Sequence, residues 1–162
     1  MKKLKWIAPL FVLAVTLAGC PYSATVPLDA PSVKINDNLL GTWEPKSSNG
    51  ETYVVTKTDN FTYKIVKNST DEKTPPVTYS AYMSSVGGDL FLNLKEENGE
   101  PKASYYFFKY EISASGAKVT LHPVTDNIKE TFTTSADLKA FFTKYKSLSF
   151  FYEKDDDVFI KD

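Results

Sequence analysis

Between residues 39 and 122 the chain is a succession of short runs, separated by turn residues, and this pattern constrains its fold more than any other feature. The runs are 39–44, 51–58, 61–67, 77–85, 89–95, 103–112 and 118–122. Within 61–67, Phe61, Tyr63 and Ile65 share one face, and Thr62, Lys64 and Val66 share the other. Val77, Tyr79, Ala81 and Met83 line up in the same way, as do Leu90, Leu92 and Leu94. A period of two marks strands with one buried face. Asp59-Asn60, Gly87-Gly88, Asn98-Gly99 and Ser115-Gly116 sit between runs, where tight turns connect hairpins. The pattern predicts an all-β, mainly antiparallel domain, a barrel or a sandwich.

One helix interrupts the strands. Thr134 stands as an N-cap with Asp137 three residues on, a variant of the capping box. Leu138, Phe141, Phe142 and Tyr145 follow at helical spacing. The helix is expected to cover an edge or end of the sheet. Residues 148–153 and 158–161 read as a final hairpin around the turn at 155–157.

The first nineteen residues have a different character. Lys2, Lys3 and Lys5 precede an apolar run from Trp6 to Leu17, followed by Ala18, Gly19 and Cys20. A basic leader, a short apolar core and a small-residue site mark a secretory signal. The run is shorter than the roughly 20 residues that span a bilayer. Leu17-Ala18-Gly19-Cys20 resembles the lipobox of bacterial lipoproteins. The resemblance implies cleavage before Cys20, lipid (a diacylglyceryl group, often with a further acyl chain such as palmitate) on Cys20, and attachment of the chain to a membrane. Several acyl chains anchor stably where one does not. Pro21 follows the cysteine where an Asp often signals retention at the inner membrane, which favours the outer membrane within a cell-envelope location. The expected organisation is a signal peptide over 1–19, a lipidated tether over 20–38 containing three prolines, and one folded domain over 39–162.

Cys20 is the only cysteine, so the folded domain can form no internal disulfide and must rest on its core. Without the three leader lysines there are 16 lysines against 20 acidic residues, a net charge near −4, and the sequence contains no arginine. That balance argues against nucleic acid as a partner, because basic patches dominate such binding.

Gly41-Thr42-Trp43 opens the first strand of the domain. A Gly-x-Trp there is similar to the signature of the calycins: lipocalins, fatty-acid-binding proteins and avidins. The resemblance covers residues 39–162 and implies a lipocalin-like up-and-down β-barrel of about eight strands with one α-helix in its C-terminal region. Gly41 and Trp43 would be its barrel signature, with Trp43 closing one end. The family places an arginine across that Trp. This chain offers Lys161 or Lys154 instead. The family's helix also follows its eighth strand, whereas only seven runs precede the helix here.

Little in the chain points to catalysis. His122 is the only histidine and reads as a surface residue at a strand end. Asp155-Asp156-Asp157 lacks the spaced ligands of a calcium loop and reads as a solvated turn. No metal or cofactor is expected, nor an enzyme. In the run Tyr105 to Tyr110, Tyr105 and Phe107 point one way while Tyr106, Phe108 and Tyr110 point the other, so both faces are apolar. Either face can pack under the helix while the other fills the barrel or lines a hydrophobic cavity. Tyr63, Tyr79, Tyr105 and Phe107 are the candidate ligand-lining residues. The leading expectation is a membrane-anchored, non-catalytic envelope protein that binds a small hydrophobic ligand. The alternative is an interaction or inhibitor module with an envelope protein as partner.

Overall fold

The structure, a computed structural model, describes residues 21–47, 50–99 and 104–162. The barrel strands are β2 (Gly41–Pro45), β3 (Glu51–Lys57), β4 (Thr62–Ser69), β5 (Val77–Val86), β6 (Asp89–Glu96), β7 (Tyr105–Ile112), β8 (Lys118–Pro123) and β9 (Asp157–Lys161). Each pairs antiparallel with the next, and β9 lies between β8 and β2, so the ring closes. This is an eight-stranded, lipocalin-like up-and-down barrel, with one helix, α1 (Ser135–Tyr145), inserted between the seventh and eighth barrel strands.

The turns form for local reasons. Gly87 and Gly88 both have positive φ, 53° and 89°, the backbone a two-residue hairpin of this hand needs. The Asp59 carboxylate accepts from the backbone N–H groups of Phe61 and Thr62 at 2.7 and 2.9 Å, which fixes the β3–β4 turn. At the start of α1 the Thr134 hydroxyl oxygen accepts from the Asp137 N–H at 3.2 Å.

The final hairpin is not formed. Residues Ser149–Phe151 make a 3-10 turn, and Tyr152 only bridges Val124. The chain returns as the single strand β9, which closes the barrel because β8 and β2 each still have an open side for it.

Alternation sorts the side chains into two cores. The inner one contains Trp43, Tyr63, Ala81, Met83, Leu92 and Phe108. The outer one lies on the flank of β5–β7, where Phe91 and Phe107 meet Phe142 of α1 at centroid separations of 5.4 and 5.3 Å, both edge-to-face. Phe151 closes on Phe142 at 5.0 Å.

Residues 21–38 depart from the expected extended tether. They pack against the barrel, with Tyr22, Ala24 and Leu28 buried in the outer core. The two-residue strand β1 (Ser23–Ala24) pairs with Tyr105 and Tyr106 of β7, where β8 does not reach. Asn93, wholly buried, accepts from the Leu28 N–H at 3.0 Å and donates to Ser84 Oγ at 2.8 Å. Ser84 in turn donates to the Asp29 carboxylate, which also pairs with Lys139 of α1 at 2.6 Å. Prolines and polar residues made this stretch look like linker, but its few apolar side chains match a flank that α1 alone does not cover.

Candidate functional site

The barrel interior holds a cavity of about 190 Å³. Its floor is built by the segment entering β2. Residues Asp37–Leu39 form a 3-10 turn that crosses one end of the barrel. Ile35 N–H donates to Asn60 O at 3.0 Å, Asn36 N–H to the Tyr63 hydroxyl at 2.6 Å, and Lys161 Nζ to Asn38 O at 2.8 Å. Leu39 and Trp43 face inward from this plug, and the Trp43 indole N–H donates to Leu39 O at 2.8 Å.

The Gly-x-Trp motif has a physical basis here. Gly41 has φ 125°, which side-chain-bearing residues rarely adopt, and a Cβ there would sit 3.2 Å from Lys161 Cε. Its bare backbone leaves room for the lysine stem. Lys161, directly across from Trp43 in the β2–β9 ladder, places its ammonium 5.5 Å from the indole ring. Of the two candidate lysines, Lys161 therefore occupies the place of the expected arginine.

The walls are apolar and aromatic. Tyr53, Tyr63, Ile65 and Tyr79 come from β3 to β5, and Leu92, Phe108 and Tyr110 from β6 and β7. Tyr63 and Tyr79 thus line the cavity as expected of them. Tyr105 and Phe107 do not: they face outward, Phe107 beneath α1 and Tyr105 beside the N-terminal segment. Their parity was open in the sequence because both faces of β7 are apolar, and the inward set is Tyr106, Phe108 and Tyr110. Cys20 and the rest of the lipobox lie outside the described residues.

Two polar groups stand out in this wall. The Tyr110 hydroxyl is buried and finds no hydrogen-bond partner among the described residues. Burial pushes its pKa up to about 12, Tyr63 adds to the rise, and the nearby Asn36 side chain opposes it. Asp157, at the end of β9 away from Lys161, is the one carboxylate of the lining among the described residues. It stays open to solvent at the rim, yet its carboxyl borders apolar walls. That desolvation, reinforced by Asp156, raises its pKa. Close to it, burial and then Glu51, which accepts the Tyr53 hydroxyl hydrogen at 3.1 Å, raise the pKa of Tyr53. Sequence reasoning placed Asp157 in a solvated turn. The alternation Asp157, Phe159, Lys161 on a strand is the signal that would have turned it inward.

His122 lies on the outer surface of β8, with Nδ1 2.6 Å from Asp156 and Nε2 3.5 Å from Glu111. Among the described residues, no three of His, Cys, Asp and Glu converge to hold a metal ion.

Comparison with protein-family models, with curated proteins and with solved structures yields no match to this chain.

Proposed function

We propose that this chain is a lipid-anchored, non-catalytic cell-envelope protein whose barrel binds a small apolar ligand. The observation that carries the binding reading is the cavity: apolar, aromatic-walled, plugged at one end by residues 36–39 and about 190 Å³ in volume. A dry, engineered cavity of about 150 Å³ is enough to hold benzene, so the space suits one ring or a short alkyl chain rather than a whole lipid. Pockets for larger ligands run to roughly 300–1,000 Å³. Anchoring rests on the lipobox at residues 17–20, with the outer membrane favoured by Pro21.

The test of binding is titration of the chain lacking residues 1–19 with 1-hexanol, read by the emission of Trp43, its only tryptophan. Saturable change is expected, and it should be lost in Met83→Trp, which fills the cavity, read by calorimetry. An unresponsive Trp43 and no heat of binding in the unmodified chain would end the ligand reading. Labelling cells with a radioactive fatty acid tests the anchor: label should follow the protein and vanish in Cys20→Ser. The protein-partner alternative has one observation in its favour, Phe150, which is 70% exposed beside the outer core. Co-purification with an envelope protein that is lost in Phe150→Ser would support it.

A further inference from the structure

We infer that the barrel selects small apolar amines, alkyl or aryl groups carrying an ammonium, over carboxylic acids of the same size. The inference rests on the cavity-binding reading above and adds the charge of the ligand.

The geometry that carries it is the placement of charge around an apolar space. Among the described residues, every one that lines the cavity is uncharged except Asp157. No lysine is among them. Lys161 stands at the floor, but its ammonium is held by Asn38 O and lies at the Trp43 ring. At the other end Lys67 is paired with Glu51 at 2.5 Å. Glu96 lies near Tyr79, and Asp156, itself paired with His122, lies next to Asp157, so carboxylates border the lining at this end.

An acid entering tail-first would leave its carboxylate against Asp157, and like charges at a rim repel. The same acid entering head-first would bury its charge among aromatic walls with no cation to meet it. An amine entering tail-first places its ammonium where Asp157 can accept from it, and the aromatic rings of Tyr53 and Phe159 border the same space. Tyr53 and Phe159 already stack edge-to-face at 5.2 Å, which fixes both rings. The other ionisable groups facing Asp157 are Asp155 and Asp156 before it, Lys46 after β2 and Tyr53 on β3.

The experiment compares n-hexylamine, 1-hexanol and hexanoate on the chain lacking residues 1–19, by Trp43 emission and calorimetry at neutral pH. Hexylamine should bind tightest and hexanoate weakest. Asp157→Asn should bring hexylamine down about fivefold towards hexanol, the size of a partly exposed ion pair, and should shift hexanol much less than hexylamine. The advantage of hexylamine over hexanol in the unmodified chain should also shrink as pH falls through the titration of Asp157, which needs no variant. Hexanoate binding as tightly as hexylamine would overturn the inference while leaving the cavity reading intact. So would an amine preference that survives Asp157→Asn. Failure of all three probes to bind would overturn the inference and the cavity reading together.

Discussion

Asn93→Ala offers the sharpest test of how the N-terminal segment is held. Asn93 is fully buried on the outer face of β6, and its amide joins Leu28 N–H to Ser84 Oγ. Truncation leaves the Leu28 N–H without an acceptor. A buried donor so orphaned costs about 1–3 kcal/mol. Ser84 keeps its bond to Asp29, so its share is small. The expected loss is therefore about 1–3 kcal/mol. Leu28→Ala, which empties a site only 1% exposed, should cost about 2–5 kcal/mol on its own. Both losses act through one docked segment. Once it has come off, Leu28 N–H is hydrated and the second substitution has little left to remove. The double variant should fall short of the sum of the singles by at least about 1 kcal/mol. Urea unfolding of the chain lacking residues 1–19, followed by Trp43 emission, gives the stabilities. Amide exchange at Tyr22 and Leu28 reports the segment directly, and should quicken far more than exchange in β3 and β4. Strict additivity, or a loss below about 0.5 kcal/mol for Asn93→Ala, would refute the reasoning.

Four further outcomes are expected. Gly41→Ala forces a side chain onto φ 125° and against Lys161 Cε, and should cost about 1–3 kcal/mol in the same urea assay. Thr134→Ala removes the N-cap of α1 and should cost about 1 kcal/mol. Asp89, held below its usual pKa first by its hydrogen bond to Lys146 and also by Lys109, contributes stability above the unfolded value of 3.8 that is lost as pH falls through the lowered one. Lys146→Met should flatten that acid limb. Asp157 has the opposite sign: its raised pKa means stability is gained as pH falls through it, so Asp157→Asn should raise thermal stability at neutral pH.

The strands were legible because alternation and turn chemistry agreed at each one. Tyr63, Ile65, Leu92 and Leu94 point inward as their period required. The helix was legible from Thr134 and its apolar spacing, and Phe142 is buried where that spacing puts it. Four things were not legible, each for a physical reason. The facing of β7 could not be read from two apolar faces, so Phe107 went to the wrong side. The single closing strand β9 depends on a register with β2 and β8 that lies far away in the chain. The docking of residues 21–30 depends on an outer flank whose apolar character becomes visible only when β5, β6 and β7 lie side by side. The one carboxylate of the cavity was hidden in the same way, because three consecutive aspartates look solvated until strand alternation turns the last one inward.

The docked N-terminal segment also determines how the barrel would respond to force. A free chain of 18 residues would give roughly 20–25 Å of slack. Here only Pro21 separates Cys20 from Tyr22, whose N–H is bonded to Val124 O at 2.8 Å. A pull at Cys20 therefore meets resistance at once. It is borne by the β1–β7 pairing and then by the Leu28–Asn93 clamp, loaded together along the strand. The load enters the flank under α1 and bypasses β2, the floor and Trp43. Tension at the proposed anchor could thus be taken up by shear on the outside of the barrel while the cavity keeps its shape.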